Sequence, residues 1–93
     1  MIGVVRVDGG EGRALSFVGE VMTLTLARAY APGQPMRCTV VIGDREMALD
    51  GRSVGSRKTP DGAFEVRVRL VNLRREDRDA LRAATSRASV SGR

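Results

Sequence analysis

The chain has 93 residues, a formal net charge of +5, one cysteine and neither histidine nor tryptophan. This length fits one domain with a single modest core. Without histidine or clustered carboxylates, the sequence offers neither a nucleophile–base pair nor a zinc site. We therefore predict a protein that is not an enzyme and that holds no metal or cofactor.

Cysteine usage and charge limit the compartment and the partners. Cys38 cannot form an internal disulfide and no signal peptide is visible, which predicts the reducing cytoplasm. No apolar run approaches the roughly 18 residues that span a membrane, so we do not expect membrane insertion. The positive charge favours anionic partners. Because the chain has only two Phe and one Tyr for stacking on bases, nucleic-acid binding is not favoured.

The first half of the chain predicts four strands. Residues 2–7 are rich in β-branched side chains, and the Asp-Gly-Gly that follows predicts a hairpin into a strand at residues 13–17. Residues 20–26 form a third candidate strand with Met and Leu on one face. After a loop rich in Pro and Gly, residues 36–43 alternate in the same way.

The second half predicts two longer strands. Residues 46–57 contain Gly51 and Gly55, and interior glycines are typical of a bulge, a sharp bend or a close backbone approach. The apolar parity changes between Leu49 and Val54, which supports a bulge. Residues 64–70 follow a Pro-Asp-Gly turn and alternate cleanly, so we place their even-numbered side chains in the core.

The C-terminal part of the chain has a different character. Residues 75–84 predict a helix with acidic side chains in its first turn, and Leu73, Leu81 and Ala84 are placed to dock it on the sheet. We assign residues 1–86 to a single domain and residues 87–93 to a flexible tail. Closure of so many short strands would remove exposed edges. The predicted fold is mostly β: a six-stranded antiparallel β-barrel with one C-terminal α-helix.

The order of these segments resembles a known family. The chain reads ALSFVGEVMTLTL, then APGQPMRCTVVIG, EMALDGRSVGSRK and finally GAFEVRVRLVNLRREDRDALRAA. Over about residues 2–85 it looks like the PilZ domain, a bacterial module best known as a receptor for cyclic di-GMP. The resemblance implies a barrel with a C-terminal helix and a place in second-messenger signalling, motility or type IV pilus assembly.

The ligand-binding pattern of that family matches only in part. It combines an RxxxR pair with [D/N]xSxxG, since arginine forks suit phosphates and guanine edges. Ser16 and Gly19 match SxxG, but Ala14 stands in the place of Asp or Asn. Only Arg6 and Arg13 precede Ser16, and they are not spaced as RxxxR. The resemblance thus implies a degenerate corner whose ligand-binding residues would be Arg13, Ser16 and Gly19.

Two functions from different classes follow from the resemblance. PilZ-like domains without the arginine pair act through protein partners, which implies a protein–protein interaction module or a homodimer. Its partner-binding candidates are Arg67 and Arg69 on the last strand and Arg74 and Arg78 on the helix. The alternative is a cyclic di-GMP receptor that uses the SxxG corner. An RxxxR segment upstream of Met1 would favour the receptor.

Overall fold

Six strands form a closed barrel with one helix at the C-terminal end of the chain. The computed structural model describes residues 2–91. The strands neighbour one another in the order β1-β2-β3-β6-β5-β4, and every neighbouring pair is antiparallel. The predicted fold class is confirmed. The elements are β1 (Gly3–Val7), β2 (Gly10–Val18), β3 (Val21–Leu26), β4 (Pro35–Ile42), β5 (Arg45–Lys58), β6 (Phe64–Val71) and α1 (Arg75–Ser91).

Local sequence signals explain the strands and their turns. Asp8 and Gly9 have φ angles of 51° and 79°, as a two-residue hairpin between right-twisted strands requires. In β6, Val66, Val68 and Leu70 are buried, whereas Phe64 is only partly buried against the core. The alternating pattern therefore placed the inner face of β6 correctly.

The predicted bulge in β5 is present. The pairing with β6 passes from Ser53 opposite Val68 to Gly55 opposite Arg67, so Val54 is the extra residue. Val54 is not a core position: its side chain is 38% exposed. Because of this extra residue, the side chains of Ser53 and Ser56 point to the same side of β5 although they are three positions apart. Their hydroxyls both donate to the Tyr30 carbonyl oxygen, at 3.3 and 2.7 Å.

The other interior glycine of β5, Gly51, marks a close backbone approach, which was also predicted for this strand. A Cβ added at Gly51 would lie 2.6 Å from the carbonyl oxygen of Arg69 and 2.6 Å from a methyl group of Val68. Because real Cβ atoms do not approach other heavy atoms so closely, only glycine at position 51 lets β5 and β6 lie this close together.

The helix α1 lies at the end of the barrel where β2 ends and β3 begins. Leu81 and Ala84 are buried in the core, and Leu73 packs against it, as predicted. The backbone N–H of Phe17 donates to the Thr85 hydroxyl at 3.1 Å. These contacts fix α1 on the barrel end, and packing of one apolar face is what stabilises most helices in proteins.

The opposite end of the barrel is filled by the loop between β3 and β4. Tyr30 in this loop is only 3% exposed and belongs to the core. Its hydroxyl donates to the Asp8 carboxylate at 3.0 Å and accepts a hydrogen bond from Arg28 Nε at 3.3 Å. Desolvation on burial raises the pKa of the Tyr30 phenol, so this hydroxyl remains a donor at neutral pH.

The helix is longer than the sequence predicts. We placed its end at Ala84, whereas α1 continues to Ser91. The start of the predicted tail at residue 87 is therefore helical, and the last two residues of that tail lie outside the described residues. Its flexibility stays a prediction. Within residues 2–91, no helix is long and apolar enough to cross a membrane.

Candidate functional site

The corner formed by residues 16–20 lies beneath α1. β2 and β3 are joined by a two-residue turn in which Gly19 has a φ of +66°, a conformation that favours glycine. Glu20 in the same turn pairs with Arg78 of α1 at 2.8 Å, and the neighbouring Phe17 amide is bonded to Thr85. The corner that the sequence marks as a ligand site therefore serves as the docking platform of the helix.

Arg13 and Ser16 lie on the same outer face of β2, opposite Thr25 and Thr23 of β3, and Gly19 lies in the turn that follows. Arg13 is exposed on β2 and lines a cavity of about 290 Å³ together with Asp61, a cavity that neither Ser16 nor Gly19 lines. The pKa of the Asp61 carboxyl lies below its usual range, chiefly because the Thr59 hydroxyl donates to it, and the charge of Arg13 adds a smaller effect. Because Glu11 also lines this cavity, two carboxylates face its one arginine, which makes it a poor site for an anion.

A group of arginines meets instead on the outer surface of β5 and β6. Arg52 on β5 lies directly opposite Arg69 on β6, and Arg67 follows two residues away on the same face of β6. All three side chains are exposed, and Val54 and Val71 beside them are 38% and 42% exposed. We call these five residues the arginine face.

The carboxylates that border the arginine face are already paired. Glu65 accepts from Arg57 at 3.1 Å, and Asp50 accepts from Arg37 at 3.0 Å. Among the described residues, no carboxylate pairs with Arg52, Arg67 or Arg69. The face therefore carries three uncompensated positive charges.

Directly opposed like charges are unfavourable for a sheet. Opposite positions on antiparallel strands place Cβ atoms about 5 Å apart, and like charges there destabilise the pair. The Arg52 guanidinium donates one hydrogen bond, to the Gly33 carbonyl oxygen at 3.1 Å. A neutral carbonyl does not compensate the charge of the guanidinium. A pair that weakens the fold and has no internal partner is suited to binding an anion from outside.

An open cavity adjoins the arginine face at the β5 bulge. It has a volume of about 360 Å³ and is lined by Gly55, Ser56, Arg57, Glu65 and Arg67. No atom lies within 4 Å of the place where a Cβ of Gly55 would stand, so the absence of a side chain keeps the space beside Arg67 open. The ion pair between Arg57 and Glu65 forms part of its wall.

The four partner-binding candidates fall into two groups. Arg67 and Arg69 belong to the arginine face, as their alternation in β6 suggested. Arg78 is partly buried, and its guanidinium is engaged by Glu20, so it holds α1 on the barrel. Arg74 is exposed just before α1, where its carbonyl oxygen accepts the Arg78 N–H at 2.9 Å.

Sequence reasoning missed Arg52. The only local signal for it is that the apolar Met47 and Leu49 occupy odd-numbered positions of the strand, which places even-numbered residues such as Arg52 on the outer face. Its position opposite Arg69 depends on the register of two strands and on the bulge that follows, neither of which a single segment reveals.

Outside the arginine face, the described cysteine and acidic side chains do not form a second candidate site. Cys38 faces the barrel interior, and desolvation, with smaller contributions from Asp8 and Asp50, raises the pKa of its thiol to about 11. Among residues 2–91, no three His, Cys, Asp or Glu side chains are grouped so that they could hold a metal ion.

Comparison of the chain with models of known protein families, with curated proteins and with solved structures gives no match.

Proposed function

We propose that this protein is a PilZ-like signalling domain that has lost most of its affinity for cyclic di-GMP and binds an acidic segment of a protein partner. The observation that carries the proposal is the direct opposition of Arg52 and Arg69, both exposed and with no carboxylate partner in the described part of the chain. The closed six-stranded barrel with a C-terminal helix supports the PilZ-like assignment.

The composition of the arginine face favours a protein over a nucleic acid. Val54 and Val71 place exposed apolar surface beside the arginines, where side chains of a partner can pack. Binding of single-stranded nucleic acid relies on exposed aromatic rings, whereas Phe17 and Tyr30 are buried and Phe64 is partly buried. Arginine forks form charge-assisted hydrogen bonds with peptide carboxylates.

The corner at residues 16–20 supports the loss of the nucleotide ligand. Ala14, which replaces the expected Asp or Asn, is buried in the core, and its methyl side chain offers a ligand no hydrogen bond. Arg13 is the one arginine of β2, so this strand supplies no arginine pair, and Arg13 also lines a cavity with Asp61. Each charge-assisted hydrogen bond contributes roughly 1.5–3 kcal/mol, so the loss of several of them removes most of the affinity.

The first test uses a fluorescent twelve-residue polyglutamate peptide and anisotropy at low salt. We expect saturable binding that the double substitution Arg52→Glu and Arg69→Glu weakens at least tenfold. The matched control is Arg75→Glu with Arg82→Glu, two exposed arginines of α1, which should leave binding nearly unchanged. Equal weakening by both pairs, or no saturable binding, would contradict the proposal.

Two further ligands complete the test. A twelve-nucleotide poly-dT that binds more tightly than the peptide, with the same dependence on the two arginines, would replace the proposal with nucleic-acid binding. Calorimetric titration with cyclic di-GMP should give no heat up to about millimolar ligand. Saturable heat that is lost in Arg13→Ala and Ser16→Ala would instead establish a receptor site at the corner.

A further inference from the structure

We infer that the segment bound by the arginine face is extended and carries oxyanions on alternate side chains. One oxyanion enters the cavity beside Gly55 and meets Arg67, and the next lies between Arg52 and Arg69. This inference rests on the proposed function and specifies the chemistry of the partner at the same site.

The spacing of the arginines defines the shape of the segment. Arg67 and Arg69 are alternate residues of one strand, so they repeat at about 7 Å along the surface. Alternate side chains of another extended chain repeat at the same distance, whereas neighbouring side chains of a strand point to opposite sides. A segment with acids at every second position can therefore place each of them at an arginine.

The cavity beside Gly55 is where the first oxyanion would contact Arg67. Gly55 lies directly opposite Arg67, and the missing side chain leaves room above the sheet for an incoming group. Arg57 does not contribute a free charge there because Glu65 holds it at 3.1 Å. Arg67 is thus the cation in this cavity that remains available to a ligand, and it suits the two oxygens of a carboxylate or phosphate.

The second contact uses the opposed pair. Arg52 and Arg69 face each other across β5 and β6, so one oxyanion placed between them can bond to both guanidinium groups. Such an anion also removes the repulsion that the pair carries in the free protein. This contact should therefore be stronger than a contact to one isolated arginine.

The test compares two peptides of the same composition. Thr-Glu repeats of eight residues place the acids two positions apart, whereas Glu-Glu-Thr-Thr repeats of the same length never place two acids at that spacing. We expect the alternating peptide to bind at least fivefold more tightly in anisotropy titrations. Arg67→Gln should remove this difference by weakening the alternating peptide.

A second variant acts in the opposite direction. Glu65→Gln frees the charge of Arg57 in the cavity, so it should tighten binding of the alternating peptide by about two- to fivefold. Glu46→Gln is the matched control, because Glu46 likewise pairs with an exposed arginine, Arg6 of β1, at the opposite end of β5 from the cavity. Equal effects of the two substitutions, or a loss of affinity in Glu65→Gln, would overturn the role of the cavity.

The outcomes separate this inference from the proposed function and identify the source of the oxyanion. If both peptides bind equally and both depend on Arg52 and Arg69, the acidic partner stands and the extended arrangement is wrong. If neither binds, the proposed function itself fails. With phosphoserine replacing one Glu, tighter binding that Arg67→Gln abolishes would assign the cavity to a phosphorylated side chain, and weaker binding would assign it to a carboxylate.

Discussion

Replacement of Arg69 with glutamate should make the folded protein more stable while it removes a binding residue. In the native protein Arg69 lies opposite Arg52, so the substitution exchanges a repulsive cross-strand pair for an attractive one. A cross-strand pair of charges changes stability by roughly 0.2–1 kcal/mol in either sense, so removal of one and formation of the other should add about 1 kcal/mol. For a domain of this size, that raises Tm by roughly 4–8 °C.

The measurement is urea unfolding followed by far-UV circular dichroism, at low salt and in 1 M NaCl. The gain should be largest at low salt and nearly vanish in 1 M NaCl, where the Debye length is about 3 Å. Arg67→Glu is the matched control, because it makes the same charge change on the same strand but faces Gly55. If Arg69→Glu is no more stable than Arg67→Glu, or if its gain persists in 1 M salt, the repulsion does not exist.

Three further predictions concern the interior of the barrel. Leu81→Ala should lower the free energy of unfolding by about 2–5 kcal/mol in urea titrations, because it leaves a cavity beneath α1; a loss below 1 kcal/mol would mean that the helix does not seal the core. Gly51→Ala should lower the free energy of unfolding by about 1–3 kcal/mol in the same titration, because the added Cβ would clash with the Arg69 carbonyl oxygen. Gly10→Ala is the control, since its Cβ would stand 3.4 Å from the nearest atom, and it should lower the free energy of unfolding much less. Burial raises the pKa of the Cys38 thiol from 9.0 to about 11, so the folded state keeps a proton that the unfolded chain releases over this range. Stability should therefore be unaffected below about pH 9 and fall by roughly 2–3 kcal/mol as the pH rises to about 11. Cys38→Val should lose that part of the pH dependence, and an unchanged slope in this variant would assign it to another group.

Most of the barrel could be predicted because its signals are local. Alternation in residues 64–70 fixes the inner face of β6, and the Asp8–Gly9 turn fixes the first hairpin. The interior glycines of β5 predicted both a bulge and a close approach, because each of these features depends on the local backbone at a single glycine. The change of apolar parity at Val54 indicated the bulge, although the Val54 side chain itself is 38% exposed, because an extra residue at a bulge follows neither face.

The candidate site was harder to predict because it depends on contacts between distant segments. Arg52 and Arg69 are 17 positions apart in the sequence (69 − 52), and a register shifted by one residue would place them on opposite faces. The contact of Glu20 with Arg78, which places the SxxG corner under α1, spans 58 positions. Composition and periodicity carry no information about either contact, so the corner looked available for a ligand.

The position of α1 also bears on how the protein is made. The Thr85 hydroxyl that accepts the Phe17 amide is synthesised 68 residues after it, and β1 pairs with β4 only once residue 41 has been added. A nascent chain emerges from the ribosome with its N-terminal part first. The barrel end that Leu81 and Ala84 cover therefore stays open while most of the chain is being translated, and during that time its apolar lining is not yet buried.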